Sequence, residues 1–251
     1  MTKRASPDVG YLLVGAQNLT SISTKLEYGM SAPVQEVTPF GVSAAVFEQT
    51  VLKKYEVGGH EAWYDDDEFI AASKIVSLAG SNVFMFAVEG NTQGKIATCA
   101  GEVVHAGFKI MQTVGEFHKA ALEVMVSGVM EAATIIGALV SRAGDLTTRA
   151  TSVDLGAAGG GTTGGNLYMS CTDLDLDGST NLIISTEDSV NNVDWAAHTA
   201  FTALTAVGAE KKVSVDATMN RYWCIKTVYT GLAGTPTATF TVAVHVNDPH
   251  A

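Results

Sequence analysis

Basic residues are scarce in this chain. Lysine and arginine together number 15 against 26 aspartates and glutamates, for a formal net charge of -11 over 251 residues. Gripping nucleic acid through its phosphates needs clustered cations, so that class of function is excluded, whereas an acidic wall that repels DNA is not. Charge of either sign is thin at 16%, which suits a chain that buries surface in neighbours. Cysteine is confined to Cys99, Cys171 and Cys224, with no pair at metal-ligand spacing. Their odd number points to free thiols in a reducing compartment. Long apolar runs are missing too. Met1-Thr-Lys-Arg-Ala-Ser-Pro7 starts basic without the apolar run of a signal peptide, and Glu123 and Glu131 interrupt Ala120–Val140. That window reads as two strands, and no membrane span is expected.

Catalytic signatures are equally sparse. No Gly-x-Ser-x-Gly elbow occurs, and no Gly-Lys-Ser/Thr follows the glycine-rich stretch, which removes the hydrolase and phosphate-loop patterns. His60, His105, His118, His198, His245 and His250 show no metal-motif spacing. The carboxylates offer too many combinations to single out an acid/base pair, so an enzyme is not expected. Asp173-Leu-Asp-Leu-Asp-Gly178 imitates the opening of a calcium loop, but the closing glutamate position holds Ile184 and strands flank it. A hairpin turn at Asp177-Gly178 with solvent-facing aspartates is the expectation, and no cofactor or metal. Trp63, Trp195 and Trp223 read as core or interface anchors.

What is abundant is Ala, Thr, Val and Gly, a composition of strands and turns. Asn18–Tyr28 alternates at period two. Gly29–Ser43 is long for a loop, and long loops in compact domains are usually functional. Val51–Val57, a turn at Gly58-Gly59 and Glu61–Tyr64 predict a hairpin. Asp65–Asp67 caps a predicted helix running to about Leu78. Asn82–Val88, Lys95–Val104, Lys109–Val114, Lys119–Met130 and Ile135–Val140 predict strands. Gly156-Ala-Ala-Gly-Gly-Gly-Thr-Thr-Gly-Gly165 is the sharpest composition shift and reads as a flexible linker. Beyond it, Asn166–Thr172, Leu182–Thr186, Lys211–Val215, Tyr222–Tyr229 and Thr237–Val246 predict further strands, consistent with a sandwich. The chain thus divides into residues 1–155, a linker at 156–165, and a C-terminal β-sandwich domain at 166–251.

Three stretches carry a resemblance: Glu36-Val-Thr-Pro-Phe-Gly41, Trp63-Tyr-Asp-Asp-Asp67, and Asn220-Arg-Tyr-Trp-Cys-Ile225 followed by Thr230-Gly231 and Ala238-Thr-Phe-Thr-Val-Ala243. Together they resemble the tail tube (major tail) proteins of long-tailed phages with non-contractile, siphovirus-type tails. The resemblance covers under a third of the chain. It implies a mainly β fold, a tail-tube-type β-sandwich with one flanking helix; the smaller C-terminal sandwich that follows is expected on the outer surface, since a flexible tether suits an appended module. The resemblance also implies homohexameric rings stacked helically around a bore that conducts DNA without specific binding. A tape measure protein and a tail terminator are the implied partners, and the virion tail is the location after assembly in the host cytoplasm. On that reading Val37, Thr38, Pro39, Phe40 and Gly41 form the ring-stacking loop, and Glu36 and Glu48 are lumen candidates. The alternative is a β-sandwich carbohydrate-binding or adhesion module of a virion.

Overall fold

The computed structural model describes residues 10–21, 23–31, 34–36, 47–49, 54–63, 82–87, 89–111, 119–126, 129–156, 164–214 and 218–247. The chain is mainly β. Its strands are β1 (Leu12–Val14), β2 (Gln17–Asn18), β3 (Ser23–Ser31), β4 (Val34–Glu36), β5 (Phe47–Gln49), β6 (Lys54–Trp63), β7 (Asn82–Phe86), β8 (Ile96–Met111) and β9 (Lys119–Val126). There follow β10 (Met130–Ala143), β11 (Leu146–Thr147), β12 (Val153–Asp154), β13 (Gly165–Asp175), β14 (Asn181–Ser189), β15 (Ala196–Ala200), β16 (Gly208–Ser214), β17 (Tyr222–Thr230) and β18 (Thr237–Val246). Among the described residues the helical content is one 3-10 turn, Arg149–Thr151, and no helix is long and apolar enough to cross a membrane. The predicted helix after Asp65–Asp67 lies outside the described residues.

The main sheet runs β16-β13-β18-β10-β8-β7-β1-β2, with β9, β6 and β3 branching from β8. A second sheet runs β11-β17-β14-β15, with β12 also on β17. In sequence the Gly-rich stretch at 156–165 follows β12 of the second sheet and leads to β13 of the main sheet. β10 precedes it and β18 follows it, yet they pair from Thr134↔Val244 to Ala143↔Thr237. Ile136 and Val153, from before it, share one core cluster with Leu167, Met169, Trp223, Ile225, Phe240 and Val242, from after it. That cluster draws on both sheets. Strand pairing and core packing therefore both run across the glycine-rich stretch.

The main sheet buries its other face as well. Tyr11, Leu13, Val83, Met85, Cys99, Ile135, Tyr168 and Ala243 form a second core, and the sheet curls enough to bring β7 beside β13 and β16. Burial on both faces is why Gly165–Cys171 is buried at every position. The alternation of Thr239–Val246, read alone, suggests one wet face. In the fold Thr241 is fully buried and bonded, its hydroxyl donating to the Gly137 carbonyl at 2.8 Å and meeting the Tyr11 hydroxyl at 3.1 Å.

Two local expectations are corrected. Gly58-Gly59 is no hairpin turn: β6 runs through it, paired with β3 on one side and β9 on the other. Both pairings shift register beside these glycines, between Lys25 and Glu27 and between Val57 and Ala62. A glycine pair inside a strand suits such bulges. Likewise, β8 is one strand where two were expected. Its first half pairs with β10 and β7 and its second half, Val103–Met111, with β9. At about 3.3 Å per residue such a strand spans roughly 50 Å. Beyond the main sheet it continues as an antiparallel ribbon, β8-β9-β6-β3.

Candidate functional site

The proposed stacking residues Val37, Thr38, Pro39, Phe40 and Gly41 lie outside the described residues. The strands on either side of them do not. β4 and β5 form a small sheet of their own, inserted between β3 and β6, with Glu36 opposite Phe47 and Glu48 opposite Gln35. The stretch read as the loop Gly29–Ser43 thus begins in strand, since β3 reaches Ser31 and β4 follows. Glu36 and Glu48 sit in facing strands without being register partners.

Elsewhere the side chains gather into polar clusters. At Asp177-Gly178 the backbone has φ of 41° and 88°, the positive pair of a type I′ turn, closed by Ser179 N–H donating to the Leu176 carbonyl at 2.7 Å. It carries the chain from β13 in one sheet to β14 in the other, so it is not a hairpin. Asp175 accepts from Asp177 N–H at 3.0 Å, and Asp177 accepts from Thr235 N–H at 2.6 Å. These carboxylates serve the backbone, and among the described residues no group of three or more His, Cys, Asp or Glu could hold a metal. A second cluster joins two strands, β13 and β10: Asn166 Nδ2 donates to both Glu131 oxygens at 2.7 and 2.9 Å, and the Tyr168 hydroxyl donates to Oε2 at 2.5 Å. Burial first, and then the Glu131 carboxylate, push the Tyr168 phenol well up.

The third cluster sits where the two sheets meet. His198 lies at a β-bulge: Thr186 pairs with Thr199 and Glu187 with Ala197, leaving His198 without a register partner. Its Nδ1 is 3.2 Å from Asp188 Oδ2 and its Nε2 is 3.0 Å from Ser214 Oγ. Behind the ring stands Trp223, fully buried and edge-on at 4.6 Å. Asn220 ties the group together, accepting from Trp223 Nε1 at 2.6 Å and donating its N–H to Asp188 at 3.2 Å. Burial works to raise the Asp188 carboxyl, but the hydrogen bonds from His198 and Asn220 outweigh it and hold it below its ordinary value. The neighbouring Glu187 is buried too, bonded by Arg149 Nε at 2.6 Å with Lys226 Nζ at 3.9 Å.

Sequence reasoning named Trp195 and Trp223 as core or interface anchors, and Trp223 is in the core, but it missed the grouping of Asp188, His198 and Ser214. Strand β15 went unread, and without its bulge the ten-residue gap from Asp188 to His198 carries no geometry.

What fold and clusters define is a mainly β chain of two sheets sharing a core. No family model and no curated protein matches it. Among solved structures it is similar to the crystal structure of the SPP1 Dit (gp 19.1) protein, titled a paradigm of the hub adsorption apparatus in phages infecting Gram-positive bacteria. The identity is 13% and the TM-score 0.37, over 92% of this chain and 97% of that one. A likeness at that level does not establish a shared fold.

Proposed function

We propose that the chain is a structural virion protein, the subunit of a siphovirus-type phage tail tube whose hexameric rings stack into a conduit for DNA. The observation that carries the reading is the ribbon β8-β9-β6-β3 together with the excursion it bears. That excursion, β4–β5 with residues 37–46 between the strands, holds the Glu36–Gly41 motif of the sequence resemblance. Ribbons with unpaired edges are a liability in a monomer and become contacts in an assembly. A ring is a heterologous interface that closes, and a stack is one that does not. The net charge of -11 suits a bore passing duplex DNA, which carries a charge about every 1.7 Å of axis. In this assembly Val37 and Phe40 bury against the adjacent ring, Glu36 and Glu48 line the bore, and the β11-β17-β14-β15 sheet faces outward. A tape measure protein and a tail terminator set its length.

Electron microscopy of the purified protein tests this directly, with rings or open tubes as the expected result. Phe40→Asp should give a folded subunit that fails to lengthen into tubes. Tubes of normal length from that variant would sink the stacking role of the loop. A monomer at every concentration that binds a glycan specifically would favour a carbohydrate-binding module of the virion instead.

A further inference from the structure

The junction of the two sheets holds the geometry of an acyl-transfer site. We propose that Ser214, His198 and Asp188 form a nucleophile, a general base and the positioning residue for it, able to cleave small carboxylic esters. This goes beyond the tube reading and does not depend on it.

The argument starts from the carboxylate. Asp188 is 3% exposed, accepts the Asn220 N–H, and is held ionised by its hydrogen bonds. An ionised carboxylate can only accept, so the proton between it and His198 belongs to Nδ1. In the neutral ring that tautomer leaves the Nε2 lone pair facing Ser214 Oγ at 3.0 Å, and the serine donates. Nucleophile to base and base to orienter are thus both within hydrogen-bond reach, in the order that activates a hydroxyl.

Two further observations set the group apart from an ordinary buried polar bridge. His198 is placed by a β-bulge, a device that re-aims a side chain out of the strand alternation and recurs beside active sites. Ser214, in turn, is the last residue of β16, the terminal strand of the main sheet order, and like His198 it is half-buried, whereas Asp188 is covered. Its register partner is Gly165, and the buried Met219 side chain packs against that glycine. The nucleophile ends its strand, and the carboxylate that orients its base is buried.

In the reaction, Ser214 Oγ adds to the ester carbonyl carbon as its proton passes to His198 Nε2. The bond from carbonyl carbon to alkoxy oxygen breaks, the alcohol leaves with that proton, and Ser214 holds the acyl group. Water then attacks, His198 takes its proton and returns it to Ser214 Oγ, and the carboxylic acid departs. Esters fit better than amides, because an alkoxide leaves with less assistance than an amide nitrogen does.

The test uses the full chain. It is incubated with a fluorophosphonate probe, the modified peptide is mapped by mass spectrometry, and hydrolysis of p-nitrophenyl acetate is followed in parallel. The expected result is an adduct on Ser214 together with ester turnover, both lost in Ser214→Ala. His198→Gln should slow labelling by at least about 100-fold, the usual share of a general base. Asp188→Asn, acting through His198, should lower kcat with KM unchanged, and Asp188→Glu should restore part of it. No adduct on Ser214 in folded wild-type protein, or wild-type turnover by Ser214→Ala, overturns the proposal. Should a variant fail to fold, adduct mapping on the wild-type chain decides alone.

Discussion

Arg142 shows how much of this fold rests on single side chains meeting backbone needs. The β10–β18 pairing slips twice, between Ile135 and Gly137 and between Gly137 and Val140. Bulges of that kind leave carbonyls without ladder partners. The Arg142 guanidinium donates to the carbonyls of Ala138, Phe240 and Val140 at 2.8, 2.9 and 3.1 Å and lies 4.4 Å over the Phe240 ring. Burial lowers its pKa to about 10, which leaves it charged at neutral pH. Arg142→Met keeps the apolar stem and removes every donor. It should cost about 1–3 kcal/mol, the range for leaving buried acceptors unpaired, read as a lower urea midpoint at unchanged slope. Arg142→Lys keeps the charge as a point donor and should recover only part of the loss, because one ammonium cannot reproduce the fork. An unchanged midpoint in Arg142→Met would mean that water serves those carbonyls equally well.

Among the elements, β13 is the most constrained, since it is paired on both sides and buried on both faces. At its first residue, Gly165, an added Cβ would run into the His245 carbonyl and the Met219 side chain. Gly165→Ala should therefore push β13 away from β18 and cost about 1–3 kcal/mol, as overpacking does. Hydrogen exchange of the β13 amides would report the loosening, and native protection in the variant would refute it. The sequence reading recovered the interiors of β13, β14, β17 and β18, where branched and aromatic residues dominate, and only the second half of β16, whose sequence is Gly-Ala-Glu-Lys-Lys-Val-Ser. It stopped β13 at Thr172, although the strand continues to Asp175, because alternating aspartates look like a loop. It missed β15 outright. Ala196-Ala-His-Thr-Ala200 has almost no strand-forming bulk and is a strand because β14 offers it a partner. It also took Gly58-Gly59 for a turn, since from sequence alone a bulge and a turn ask for the same residue. The Asp188, His198 and Ser214 grouping was illegible for a related reason: it depends on a bulge and on two sheets meeting.

At the scale of the molecule, the open question is whether 1–155 and 166–251 act as units. Composition suggests a tether at 156–165, whereas pairing and packing run across it. The cysteines can decide, because they sample different parts of the fold. Cys99 lies in the second core of the main sheet, Cys171 in the core shared by both sheets, and Cys224 on β17 beside Glu187. All three are buried. Burial pushes the Cys171 thiol up to about 11 and the Cys224 thiol up to about 12, and Cys99 is raised as well. Since the thiolate is the reactive form, none should react with a disulfide reagent at pH 8 while the protein is folded. In rising urea, one shared sheet predicts that all three become reactive at a common midpoint, as in a two-state transition. Separate modules predict that Cys99 parts company from Cys171 and Cys224. Peptide mapping of the modified thiols at each urea concentration distinguishes the two, and a split by more than the error of the midpoints would overturn the single-unit account. A common midpoint would mean that any tube built from this chain carries its outer sheet rigidly, as part of the wall.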